Sequence, residues 1–229
     1  GGVRHSACMT TRPTALRREA VAGAAAARPM AALTRHAIAF AREAVADYQI
    51  PAAYFDRAGK VNGAASESAH AHNESYARHL ATLGEPSEML DAQAMRELTG
   101  SAHYRSGLYT PGTVMLQPAG YIRGLAAGLA GDGVVIHERS AVTGMRREGS
   151  AWRVATDGGH VSAPTVILTV NGHLESFGME TGRLMQLFLF AVMTPKLDAD
   201  ALARLGGRPR WGITPSDPMG TTMRRINGG

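Results

Sequence analysis

The sequence predicts an α/β fold: mixed α and β elements, with part of a doubly wound parallel sheet. Three observations predict it. Residues 118–130 read as a helix that opens at Pro118, followed by a short apolar strand at 134–137. Residues 165–170, Thr-Val-Ile-Leu-Thr-Val, form an uninterrupted, largely β-branched run of the kind buried on both faces of a parallel sheet. Between these strands lie three alternating segments, 142–147, 152–156 and 160–162. Turns at Glu148-Gly149-Ser150 and Asp157-Gly158-Gly159 make them an antiparallel meander.

The other elements follow in chain order. Residues 9–27 are rich in alanine and arginine and helical after Pro13, and Pro29 is expected to interrupt them. Residues 30–48 predict a stronger helix, with Leu33, Ala37, Phe40, Ala41, Ala44 and Val45 on one apolar face. Pro51 stops it. Residues 52–64 read as a strand pair around Gly59, with Tyr54, Phe55 and Val61 as packing residues. A polar helix over 66–83 turns Tyr76, Leu80 and Leu83 inward and stops at Gly84. Asp91 N-caps a short helix that Gly100 ends. Residues 104–115 have strand character, broken at Gly107 and at Pro111-Gly112. Strand 187–193, a short helix over 198–205 and a strand start at 221–226 complete the reading.

Composition narrows the function classes. Hydrophobic residues at 45% and charged residues at 19% fit a globular chain with a substantial core. No apolar run is long enough to span a bilayer, and no secretory signal is visible. The net charge of +5 is spread along predicted helices. Arg17-Arg18, Arg146-Arg147 and Arg224-Arg225 are isolated pairs rather than a stripe, so nucleic acid is not the expected partner. A small acidic molecule or a cofactor phosphate suits that charge better. Cys8 is the only cysteine, which removes an intrachain disulfide and fits a cytoplasmic setting.

Most catalytic motifs are missing. There is no Gly-x-Ser-x-Gly elbow and no phosphate-binding Gly-Lys-Ser/Thr loop. No metal site is expected. His70 and His72 diverge on their helix, and His137-Glu138 lacks a second histidine at helical spacing. The positive candidate is the end of the run 165–170, because open α/β sheets bind ligands at the carboxyl ends of their strands. There Asn171 can offer an amide and Gly172 a close backbone approach. The same Asn-Gly pair also suits an ordinary turn leaving a core strand, and the residues leave both readings open.

The order of several pieces resembles the FAD-dependent oxidoreductases of the D-amino-acid oxidase superfamily, and most of all the gamma-glutamylputrescine oxidase branch. The pieces are Asp47-Tyr48-Gln49-Ile50, Phe55-Asp56-Arg57-Ala58-Gly59-Lys60-Val61, Leu90-Asp91-Ala92-Gln93 and Gly107-Leu108-Tyr109. They continue with Leu116-Gln117-Pro118-Ala119-Gly120-Tyr121, residues 134–138, Trp152-Arg153-Val154-Ala155-Thr156 and residues 166–171.

The resemblance implies a doubly wound FAD/NAD(P)-binding parallel sheet with a mixed-sheet substrate domain interleaved in it. Residues 1–50 would be a helical part of the FAD-binding domain and 51–115 part of the substrate domain. Residues 116–178 would be FAD-binding domain with the meander, and 179–229 a truncated part of the substrate domain. It implies FAD as cofactor, a small-molecule amine or amino acid as substrate, and oxidation of a C–N bond. It also implies cofactor-binding roles for Gly1, Gly2, Val142, Asn171 and Gly172. Arg4, His5, Tyr109 and Arg224 become candidates for the catalytic cavity. The alternative roles are a basic chain end for Arg4 and His5, a packed aromatic for Tyr109, and a surface arginine for Arg224.

The family's opening strand, Gly-x-Gly-x-x-Gly turn and ribose-binding acid have no counterpart, nor does its closing segment. Gly131-Asp132-Gly133 precedes a strand instead of a helix. The chain therefore reads as a fragment, expected to expose an apolar patch and not to retain FAD alone. The competing readings are a non-catalytic remnant or binding module and, more distantly, an NAD-dependent dehydrogenase.

Overall fold

Local signals place the helices. Ser66 accepts from Ala69 N at 3.2 Å and caps a helix over Glu67–Thr82. Asp91 accepts from Ala94 N at 2.8 Å and caps Ala92–Thr99. Asp198 accepts from Ala201 N at 2.8 Å and caps Ala199–Leu205. Each carboxylate or hydroxyl satisfies an amide that the first helical turn leaves without an internal acceptor. Gly100 closes the second of these helices at φ +79°, where a side chain is strained.

The computed structural model describes residues 8–9, 24–185, 189–217 and 220–226. They fall into two compact units, one within 1–132 and 192–229, the other within 133–191. The helices are α1 (Ala24–Asp47), α2 (Glu67–Thr82), α3 (Ala92–Thr99), α4 (Pro118–Gly131) and α5 (Ala199–Leu205). The strands of the first unit are β1 (Cys8–Met9), β2 (Phe55–Asp56), β3 (Lys60–Ala64), β4 (Glu88–Leu90), β5 (Ser106–Thr110) and β6 (Val114–Leu116), then β10 (Trp211–Pro215) and β11 (Met223–Arg225). The meander of the second unit is β7 (Val142–Glu148), β8 (Ala151–Thr156) and β9 (Gly159–Ala163).

A mixed five-stranded sheet, ordered β11-β10-β3-β5-β4, carries the first unit. Only β10 and β3 run parallel in it, with Ile213 opposite Val61. Side chains alternate across the sheet, and the register sorts them into two faces. Val61 and Ile213 pack with Met95 of α3 and with Tyr104 on one face. Leu108 packs with Tyr76 and Leu80 of α2 on the other. Burying each large apolar side chain contributes roughly 1.5–3 kcal/mol. A second core joins α1, α4 and the small antiparallel sheet β1-β6-β2 through Ala41, Ile50, Phe55, Val114, Leu116 and Tyr121.

The mixed α/β class is as the sequence predicts, and so is the meander. Several elements differ. Pro29 lies inside α1 instead of interrupting it. The proline forfeits one backbone donor near the start of a 24-residue helix whose buried Ala27, Ala31, Ala41 and Ala44 hold it down. The strands flanking Gly59 do not pair with each other. β2 pairs with β6, and β3 lies between β5 and β10.

The two expected parallel strands are absent as strands. Residues 134–137 and 165–170 have no ladder. A strand needs a neighbour to take its backbone groups, and neither run is paired with any described strand. Val135 is 74% exposed and Ile167 82%. Residues 189–193 of the expected strand 187–193 are likewise without a ladder, and Phe190 is 98% exposed. Among the described residues, no helix is long and apolar enough to cross a membrane.

Candidate functional site

One face of the mixed sheet is buried yet polar. Lys60 and Asn62 of β3 alternate with Val61, so both turn toward α2 and away from Met95. Thr214 is the register partner of Asn62, and Thr110 that of Lys60. All four are buried, Lys60 to 2% exposure. Desolvating an amide, a hydroxyl or an ammonium is costly unless hydrogen bonds replace water.

Here they do. Lys60 Nζ donates to Thr214 Oγ1 at 3.1 Å, and that hydroxyl donates to Asn62 Oδ1 at 3.0 Å. Asn73 of α2 donates through Nδ2 to the Asn62 carbonyl at 2.9 Å. Its Oδ1 accepts from Ser216 Oγ at 2.7 Å. The Ser216 amide donates to the Gly63 carbonyl at 2.9 Å. At the β5 side, Thr110 Oγ1 lies 3.1 Å from Thr113 Oγ1. The result is a continuous chain of donors and acceptors from a lysine through β10 and β3 to α2. It fixes side-chain orientation and holds a cationic donor beside a hydroxyl.

Sequence reasoning missed this cluster. Its signals were a lysine and an asparagine in a strand-like alternation, and Asn73 on the helical stripe of Tyr76 and Leu80.

A second polar group gathers at the start of α2. His70 Nδ1 lies 2.8 Å from Ser106 Oγ, and His70 Nε2 is 3.7 Å from a Glu74 carboxylate oxygen. Ser66 Oγ donates to Asp217 Oδ1 at 3.0 Å. Among the described residues no group of His, Cys, Asp and Glu is arranged to hold a metal ion.

The residues singled out from the sequence do not converge. Tyr109 of β5 donates through Oη to the Ala58 carbonyl at 3.1 Å, and its ring lies against Gly59. Arg224 of β11 donates through Nη1 to the Leu116 carbonyl at 2.6 Å. Pairing runs Tyr109 to Val61, Val61 to Ile213 and Ile213 to Met223. Tyr109 therefore shares a face with Met223, whereas Arg224 points to the opposite one. In the second unit, Val142 opens β7 at 39% exposure. Asn171 has φ +54° and begins a 3-10 turn over Asn171–Phe177 that also holds Gly172. Gly1, Gly2, Arg4 and His5 lie outside the described residues.

These residues do not by themselves fit a flavin dinucleotide. A pyrophosphate site of this class needs a strand, a glycine turn and a helix N-terminus converging on the phosphates. The segment leading to Asn171 is unpaired, and Val142 stands on an exposed meander. In the first unit, a depression of about 390 Å³ is lined by Ala92, Gln93, Arg96, Ala102 and Tyr104.

Comparison with known proteins supplies what the site geometry lacks. A family model described as FAD dependent oxidoreductase matches residues 2–229. No curated protein matches the chain. Among solved structures, the chain is similar to L-amino acid deaminase from Proteus myxofaciens in complex with anthranilate, at 16% identity and a TM-score of 0.60, covering 84% of this chain and 43% of that one. It is similar to glycine oxidase from Geobacillus kaustophilus, at 21% identity and a TM-score of 0.52, covering 60% and 38%. It is also similar to L-proline dehydrogenase from P. horikoshii, at 13% identity and a TM-score of 0.55, covering 62% and 38%. At these identities the likeness shows a shared fold. The chain spans only about two fifths of the length of each of these structures.

Proposed function

The chain belongs to the FAD dependent oxidoreductase family, and on that premise we propose that it is part of an enzyme that oxidises a carbon–nitrogen bond of an amine or amino acid. The match over residues 2–229 carries this reading. The fold neighbours support it, since their names are those of a glycine oxidase, an L-amino acid deaminase and an L-proline dehydrogenase. The motif order points to the gamma-glutamylputrescine oxidase branch within the family.

The family's cofactor, FAD, supplies the redox chemistry when bound. The described residues contribute a rigid, hydrogen-bonded sheet instead of a phosphate cradle. We assign 51–115 and 179–229 to the substrate domain, and 1–50 and 116–178 to the cofactor domain. Gly1, Gly2, Val142, Asn171 and Gly172 remain the proposed cofactor contacts. Arg4, His5, Tyr109 and Arg224 remain the proposed cavity residues. Because Tyr109 and Arg224 face opposite sides of one sheet, at most one of them lines the same cavity wall.

A second reading, that the 229 residues alone are non-catalytic, is favoured by the unpaired segments 134–137 and 165–170. One experiment separates the two. The chain, and a longer polypeptide that adds a strand and Gly-x-Gly-x-x-Gly turn before it, are each incubated with FAD and desalted. Both are then assayed with amino acids and amines for carbonyl product. The longer polypeptide is expected to stay yellow and turn over an amine, the 229-residue chain to come through colourless. A longer polypeptide that holds FAD but oxidises no amine or amino acid sinks the C–N reading.

A further inference from the structure

We propose that the depression beside α3 is a binding site for a small aliphatic monocarboxylate, held by the Arg96 guanidinium and the Tyr104 hydroxyl. Its lining is Ala92, Gln93, Arg96, Ala102 and Tyr104, and its volume is about 390 Å³. Small-molecule sites typically measure about 300–1,000 Å³ and carry a few converging polar groups on apolar walls. On α3, Arg96 follows Gln93 by three residues and Ala92 by four, so one helix face makes one wall. Ala102 and Tyr104, on the segment between α3 and β5, supply the rest of the lining.

Arg96 brings an uncompensated charge to this wall. Among the described residues its guanidinium makes no hydrogen bond and no ion pair. The positions three and four residues away on either side are Gln93, Ala92, Thr99 and Gly100, and none is acidic. The adjacent Glu97 is engaged elsewhere, accepting from Gln93 Nε2 at 3.0 Å.

Tyr104 is a second donor, and it is held in place. The residue is 7% exposed, and its ring packs with Val61, Met95 and Ile213. One ring edge lies over Gly63, and the His103 ring stands edge-on with centroids 5.0 Å apart. With that side of the ring taken up by the core, the hydroxyl is the end that reaches the depression. Among the described residues it makes no hydrogen bond. Burial keeps the phenol protonated, so at neutral pH it is a donor. A tyrosine buried to this extent usually has an acceptor for its hydroxyl, and an anionic oxygen in the depression completes the arrangement.

Charge and shape select the ligand. A guanidinium presents two parallel N–H groups that match the two oxygens of a carboxylate. Arg96 is the one cation of the lining, so it neutralises a monoanion and leaves a phosphate dianion half-compensated. Gln93 has a second amide hydrogen to offer. The methyls of Ala92 and Ala102 and the Tyr104 ring make the remaining surface apolar, which suits a short hydrocarbon body.

Nuclear magnetic resonance on the full 229-residue chain tests this, by titration with sodium butyrate against sodium chloride at equal ionic strength. The amides of Ala92, Gln93, Ala102 and Tyr104 should shift saturably, with a Kd on the order of 1 mM. Inorganic phosphate should bind more weakly, and butylammonium should leave these amides unmoved. Arg96→Gln should weaken butyrate about tenfold or more, and Tyr104→Phe, which keeps the ring, about threefold to tenfold. Arg96→Lys keeps the charge without the fork and should fall between Arg96→Gln and the parent chain. Arg96 is exposed, so Arg96→Gln should leave the unfolding midpoint unchanged. No FAD is added, so failure here leaves the oxidase reading untouched.

Three outcomes overturn the proposal. The amides show no saturable shift at butyrate about tenfold above a millimolar Kd. Butyrate binds Arg96→Gln as tightly as the parent chain. Or Arg96→Gln lowers the unfolding midpoint and butyrate shifts nothing, which makes Arg96 only a counter-charge for the end of α3.

Discussion

Asn73 is fully buried and uses both ends of its amide, one on the Asn62 carbonyl and one on the Ser216 hydroxyl. Asn73→Ala removes both partners at once and leaves two groups to be desolvated unpaired, at about 1–3 kcal/mol each. Urea unfolding should show a lowered midpoint with little change in slope. Thr214→Val should also destabilise, because it strips an acceptor from Lys60 and a donor from Asn62. Combining Thr214→Val with Lys60→Met should cost less than the sum of the two, since the second change removes the charge that the first leaves underpaired. Strict additivity in that double-mutant cycle would show that the Lys60 ammonium does not depend on Thr214.

Tyr104 makes a prediction about pH. Burial holds its phenol protonated above the ordinary tyrosine value of about 10. A raised acid pKa in the folded state means the contribution to stability is complete below the unfolded value. It is then lost as pH climbs through the folded one. The chain should accordingly lose stability above about pH 10, and Tyr104→Phe should flatten that part of the curve. A tyrosinate absorbance titration in which every tyrosine ionises at the free value would remove the argument.

Among the elements, α4 is built around three glycines four residues apart. A side chain at Gly120 would meet Tyr54, at Gly124 Ile50, and at Gly128 Tyr48. Residues i, i+4 and i+8 share one helix face, so the chain from Tyr48 to Tyr54 lies directly against the α4 backbone. Tyr48 is also tied to the end of α4, donating through Oη to Asp132 Oδ2 at 2.7 Å. Gly128→Ala drives a methyl into the Tyr48 ring. Despite alanine's better helix propensity, it should destabilise by roughly 1–3 kcal/mol, the usual cost of overpacking. Gly131→Ala, where a methyl meets open space, is the control, and it should be close to neutral.

These elements also show which parts of the fold the sequence exposes. The cap at Asp91, the helix start at Pro118 and the meander turns were all legible. Each is settled within a few residues of its own chain. Pairing was not. β10 went unread because Gly212 and Pro215 dilute its apolar pattern, and its partner β3 lies far back in the sequence. The composition of 165–170 predicts a strand buried on both faces of a parallel sheet, but composition is silent on whether a neighbour is at hand. The buried polar face escaped for the same reason. Lys60 and Asn62 look like surface residues until β10 and α2 cover them.

At the scale of the whole molecule, the first unit is built from both sides of the second. β10 and β11 complete the sheet that β3, β4 and β5 begin. A chain ending at residue 191 would leave Val61 without Ile213 and Asn62 without Thr214. It should fail to show a cooperative unfolding transition by circular dichroism. A sharp transition in that shortened chain would mean that β10 is dispensable.

The same parallel pairing bears on how the chain emerges from a ribosome. β3 is made early, and its β10 side faces water until about 150 further residues have been added, on the order of 10 s at ordinary elongation rates. Through that interval a strand edge and a buried-type lysine and asparagine stand open beside apolar Val61. Cells would be expected to cover that edge with a holding chaperone during translation. Ribosomes stalled before residue 211 should carry more of it than ribosomes stalled well past the end of β11.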